Sequence, residues 1–106
     1  MKTKESKMID NLQTVLASLK NKTEFKKFLR DLLTEQELLE LARRWQAAQM
    51  LAVKIPYTEI IKETGLSSTT VARVAKWLNK GMKGYKLALT KSNTNHYYRP
   101  SSSRKG

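Results

Sequence analysis

The stretch from Glu35 to Val53 has helical character and almost no polar side. Beyond its first turn it carries Leu38, Leu39, Leu41, Ala42, Trp45, Ala47, Ala48, Met50, Leu51, Ala52 and Val53, residues that point all around a helix rather than down one stripe. A helix of that kind has to be covered on every side, and a chain of 106 residues supplies only two other sizeable helices to do it. The missing cover is expected to be a second copy of the chain, because large apolar patches rarely stay bare. The fold class is therefore read as all-α, an intertwined helical homodimer with this third helix at its centre.

The flanking segments fit that plan. From about Lys4 to Leu19, Met8, Ile9, Leu12, Val15, Leu16 and Leu19 recur at intervals of three and four and predict a first helix with one apolar stripe. Asn21 is placed to cap a second helix, with Glu24 reaching back to it and Phe25, Phe28, Leu29 and Leu32 on its inner side. Thr34 and Glu37 have the spacing of a capping box at the start of the third helix, with Leu33 placed to staple against Leu38. Pro56 ends that helix, since it disfavours helical geometry at Ile55 and presets φ for the next helix.

Next comes Tyr57 to Leu78, YTEIIKETGLSSTTVARVAKWL. Ile60 and Ile61 make its opening segment apolar on a single side. Gly65 sits where a helix ends at positive φ, and Leu66 supplies the apolar contact that accompanies such a cap. Ser67 has the chemistry of an N-cap for a second helix, on which Val71, Val74 and Leu78 mark the buried stripe. The opposite side runs Ser68, Thr69, Thr70, then Arg73, Lys76 and Lys80. Two helices joined by a tight glycine turn, small hydroxyls first and cations behind, have the composition of a helix-turn-helix entering a major groove. The alternative is a helical hairpin with a solvated basic face.

Charge favours the nucleic-acid reading. The net charge is +12, and nine of the 21 basic residues but none of the nine acidic ones follow Glu63. A one-sided field of that sign concentrates polyanions, with an affinity that falls as salt rises. The DNA-binding set is read as Thr58, Lys62, Ser67, Ser68, Thr69, Thr70, Arg73 and Lys76. Thr58 and Lys62 would hold phosphates and fix register. The hydroxyls from 67 to 70 would meet base edges directly or through water, with Ser67 doubling as cap and Thr70 alternatively structural. Arg73 and Lys76 would reach guanine edges or phosphates.

After Asn79, Gly81 and Gly84, the group Tyr85, Leu87 and Leu89 is expected to pack back as a partial turn. From Thr90 the chain turns to Ser, Asn, Lys and Arg without aliphatic periodicity, so residues 1–89 are read as the helical domain and 90–106 as a mobile basic tail. Lys91, Arg99, Arg104 and Lys105 would either touch phosphates or merely solvate the terminus.

Other function classes lack residues to carry them. There is no cysteine and one histidine, His96, so no metal site and no cofactor is expected. No phosphate loop, nucleophile elbow or spaced carboxylate pair is recognisable, so no catalytic role is expected. Met1 to Lys7 is charged and leads into an amphipathic run, which predicts no signal-peptide core, no membrane span and a cytoplasmic location.

Leu33-Thr34 before an acidic helix start, the Arg43-Arg44 pair, Glu-Ile-Ile-Lys-Glu-Thr-Gly at 59–65 and Thr70-Val71-Ala72-Arg73 occur in this order across roughly the middle half of the chain. In these features the chain resembles the tryptophan repressor family, especially the TrpR-like proteins of Gram-positive bacteria. The resemblance implies an intertwined all-helical homodimer that binds a two-fold-related operator. It also implies a tryptophan corepressor held between the long central helix and the recognition helix by one arginine from each, positions that match Arg44 and Arg73. Arg43 and Arg44 have a second reading, as partners of Glu37 and Glu40 one turn away. In tryptophan-responsive members the residue after the recognition-helix arginine is glycine and the third beyond that is serine; here they are Val74 and Trp77. Both add bulk where the indole would lie, so DNA binding without tryptophan is expected, with Trp77 either standing in for the ligand or filling core.

The sequence thus predicts a regulator of transcription, a repressor acting by occlusion, that binds double-stranded DNA as a homodimer. The competing readings are a non-specific or architectural nucleic-acid binder working through its basic surface, and an adaptor whose helices bind another protein.

Overall fold

The structure, a computed structural model, describes residues 3–92. Six helices and no strand are found among them: α1 (Thr3–Ser18), α2 (Lys22–Leu32), α3 (Glu35–Ala52), α4 (Tyr57–Thr64), α5 (Ser68–Lys80) and α6 (Gly84–Ser92). The chain divides into two compact units, Met1–Leu38 and Leu39–Gly106.

The first unit holds α1, α2 and the first turn of α3. Asn21 caps α2 by accepting the Glu24 N–H at 3.0 Å. Glu24 does not answer to Asn21 as the spacing suggested; its Oε1 accepts the N–H of Lys20 at 2.7 Å, one residue further back. At α3 the reciprocal box forms as expected: the Glu37 N–H donates to Thr34 Oγ1 at 3.0 Å and the Thr34 N–H to Glu37 Oε1 at 2.9 Å. Neither α1 nor α2 buries a single residue. The α1 stripe of Met8, Ile9, Leu12 and Val15 is 36–58% exposed, and Phe25 and Leu32 on α2 are likewise open.

The second unit contains the core. Ala47, Ala48 and Met50 of α3, Ile60 of α4, Leu66 of the turn and Val71 and Val74 of α5 form one buried cluster. Trp45, Leu51, Ile55, Ile61 and Tyr85 pack around it. Only the C-terminal half of α3 is used: Ala47, Ala48 and Met50 are buried, whereas Leu39 and Leu41 nearer its start stay exposed, so the cover of this apolar helix is incomplete.

The joint from α3 to α4 is closed by two backbone bonds. The Ile55 N–H reaches back to Met50 O and the Lys54 N–H to Leu51 O, both at 3.0 Å. This double closure needs a left-handed residue, and Lys54 supplies it at φ 67°. Pro56 then begins α4 without a side-chain cap.

A second departure from expectation is α6. Tyr85, Leu87 and Leu89 belong to a nine-residue helix, not a partial turn, and it continues through Thr90 to Ser92. Side chains without aliphatic content still extend it: the Thr90 hydroxyl donates to Lys86 O and the Ser92 hydroxyl to Ala88 O, both at 2.9 Å. The rest of the expected tail, with His96, Arg99, Arg104 and Lys105, lies outside the described residues. No helix among the described residues is long and apolar enough to cross a membrane.

Candidate nucleic-acid interface

The turn between α4 and α5 is built from local chemistry. Gly65 ends α4 in left-handed backbone at φ 79°, its N–H bonded to Ile61 O at 2.9 Å; a side chain there would be strained. Buried Thr64 ties both sides of the bend, donating its hydroxyl to Ile60 O at 2.7 Å and accepting the Leu66 N–H at 3.2 Å. Leu66 drops into the core. Ser67, extended at φ −72°, ψ 160°, accepts the Thr70 N–H at 3.1 Å and starts α5.

Val71, Val74 and Leu78 anchor α5 on its inner side, which fixes the outward face. Ser68, Thr69, Ala72, Arg73, Lys76 and Lys80 are all exposed. On α4, Thr58 and Lys62 are exposed and share a shallow hollow with Glu59 and Glu63. Every residue of the expected DNA-binding set therefore belongs to the α4–α5 pair, but not all are equally available. The Ser67 hydroxyl donates to Thr70 Oγ1 at 3.0 Å and Thr70 is half-buried, so these two spend much of their hydrogen-bonding capacity on the cap.

Sequence reading missed a cleft along the α4–α5 seam. Tyr57, Ala72, Ala75, Lys76, Asn79 and Lys80 line it. Tyr57 and Lys80 lie 23 positions apart, so neither helix's periodicity announces the juxtaposition; the available signal was the absence of acids after Glu63.

At the positions tied to the corepressor, Arg44 Nε lies 3.4 Å from Glu40 Oε2 across one turn of α3, the ion-pair reading of that arginine. Val74 is 3% exposed and belongs to the core. Trp77 does not fill core: it is 49% exposed, with Lys76 Nζ 5.4 Å from the centroid of its ring. Its indole borders an apolar recess completed by Gly81, Met82, Gly84 and Tyr85. No group of three or more His, Cys, Asp or Glu that could hold a metal occurs among the described residues.

Comparison with known proteins agrees with this architecture. A family model described as Trp repressor protein matches residues 7–93. The uncharacterized protein YerC of Bacillus subtilis is 40% identical over 83 residues, 78% of this chain and 80% of that one. The crystal structure of a TrpR-like protein from Eubacterium eligens superposes with a TM-score of 0.75 at 33% identity, covering 80% of this chain and 88% of that chain. A candidate Trp repressor from Staphylococcus aureus gives a TM-score of 0.77 at 30% identity, covering 88% and 95%. The family match over most of the chain, together with the relative at 40% identity, identifies it: the chain belongs to the Trp repressor protein family.

Proposed function

We propose that the chain is a sequence-specific DNA-binding transcriptional regulator, a repressor, that binds a two-fold-related operator as a homodimer and does so without tryptophan. The observation that carries this reading is the outer face of α5. It presents Ser68, Thr69 and Ala72 followed by Arg73 and Lys76, with no acid on the helix, directly after a rigid glycine turn. Small side chains at the helix start let the backbone approach base edges, and the cations behind them match phosphates or guanine. Thr58 and Lys62 serve the backbone on the α4 side. Ser67 and Thr70 contribute chiefly by fixing where α5 begins.

The dimer is supported by the bare apolar surface of α1, α2 and the N-terminal half of α3, which one chain does not cover. Tryptophan independence is supported by Val74, whose side chain occupies core, by the bulk of Trp77, and by the pairing of Arg44 with Glu40.

Selection of duplexes from a random pool, followed by competition at physiological salt, tests the reading. A preferred palindromic site with half-sites about one helical turn apart supports it. Loss of discrimination among sequences would instead assign the protein to charge-driven, non-specific binding. Light scattering that finds a monodisperse monomer at micromolar concentration defeats the dimer. Saturable micromolar binding of L-tryptophan in titration calorimetry defeats the corepressor-free reading.

A further inference from the structure

We propose that the seam cleft between α4 and α5 is a clamp for a DNA backbone phosphate, in which Tyr57, Asn79 and Lys80 act together with Lys76. The inference rests on the DNA-binding reading above and adds to it residues from the start of α4 and the last turn of α5.

The cleft is an open depression with a basic and polar lining. Ala72 and Ala75 are the small residues of its lining and take up little of the space between the longer side chains. Two lysines, a phenol and a carboxamide line the rest, all able to donate hydrogen bonds to phosphate oxygens. Asn79 is held in place by one bond, its Nδ2 donating to Ala75 O at 2.9 Å, and the second hydrogen of that amide is left over for a ligand. No carboxylate lines the cleft, and none occurs on α5 or α6. The acids of α4, Glu59 and Glu63, line a different hollow, with Thr58 and Lys62.

The ligand follows from placement. Ala72 and Lys76 belong both to this cleft and to the outward face of α5, so a duplex lying on that face brings its backbone to the cleft. The first helix of a helix-turn-helix crosses the backbone beside the groove, and Tyr57 is the first residue of α4. Phosphate contacts of this kind set register and add affinity without sequence preference.

The test uses the full-length protein with the preferred duplex and a set of unrelated duplexes. Lys80→Gln should weaken binding about equally on all of them, roughly three- to tenfold, and lower the slope of log affinity against log salt by about one. Tyr57→Phe should give a smaller uniform loss at unchanged salt slope, since it removes a hydroxyl and no charge. Neutralising single phosphates as methylphosphonates should reveal one position per half-site whose cost in the wild-type protein disappears in Lys80→Gln. An unchanged salt slope with Lys80→Gln, or no phosphate coupled to it, overturns the clamp. Altered preference among sequences also overturns it, because that would make Lys80 a base reader. If the wild type selects no preferred duplex, the function reading itself fails, whereas a preferred duplex with an unaffected Lys80→Gln fails the clamp alone.

Discussion

The hydroxyl of Thr64 holds the N–H of Leu66 across the bend between α4 and α5, at 3.2 Å, while donating to Ile60 O at 2.7 Å. Thr64 is 6% exposed, so water does not readily replace either bond. Thr64→Val keeps the shape and removes the hydroxyl that makes both bonds. It should cost about 1–3 kcal/mol of stability, the penalty for a buried N–H left unsatisfied, read as a lower urea midpoint at fixed protein concentration. The same variant should weaken DNA binding, because the bend it loosens orients α5.

The two glycines flanking α5 should respond differently to alanine. Gly65 has open space around its missing side chain but sits at φ 79°, so Gly65→Ala should cost about 1–2 kcal/mol from backbone strain alone. At Gly81 the added carbon would lie 2.5 Å from the carbonyl oxygen of Trp77, and only a backbone shift relieves that. Gly81→Ala should therefore cost more, about 2–3 kcal/mol. Chemical denaturation of both variants checks the order.

Ser67 separates structure from recognition. Ser67→Ala removes the cap on Thr70 and should lower stability by about 1 kcal/mol. Ser67→Asp retains a capping oxygen and should leave stability within about 0.5 kcal/mol of the parent. Yet it places a negative charge at the tip of the helix proposed to meet DNA, so affinity should drop at least about tenfold. Equal affinity for Ser67→Asp and the parent would mean the tip does not approach DNA.

The two arginines that match the family pattern should behave differently. Arg73 is exposed on the outer face of α5, and Arg73→Ala should weaken operator binding by about 1–3 kcal/mol. Arg44 is engaged by Glu40 with both side chains substantially open to solvent. Arg44→Ala should change stability by no more than about 0.5 kcal/mol, with operator affinity in the absence of tryptophan unaltered. Filter binding and thermal melts on the two proteins decide it.

The features legible in the sequence were those that depend on near neighbours. The Thr34–Glu37 box, the Ser67 cap and the left-handed turn at Gly65 each follow from side chains three or fewer positions away, and each appears as expected. The incomplete cover of α3 was legible too, because a helix apolar nearly all round needs more cover than one chain of this size supplies, although the sequence did not say that the bare part would be its N-terminal half. Three things were not. Lys54 takes a left-handed conformation that lysine does not advertise. The helix through Ser92 draws on hydroxyl bonds to carbonyls one turn back, a signal outside aliphatic periodicity. The exposure of Trp77 and the seam cleft depend on how separate helices meet, and spacing along the chain carries no record of that. Of the proposed DNA-contacting side chains, Ser67 and Thr70 were found as residues, but their engagement with each other was not foreseen.

The joint at Lys54 has a consequence for how such a protein can change over time. Two backbone bonds fix Lys54 and Ile55 to the end of α3, and Pro56 allows little torsional play before α4 begins. One residue gained or lost in the last turn of α3 would swivel α4 and α5 by about 100° around that axis, turning Arg73 and Lys76 away together. With α5 reading DNA as proposed, drift in its letters would retune which sequence is preferred, whereas drift in the length of this short hinge would abolish aim altogether.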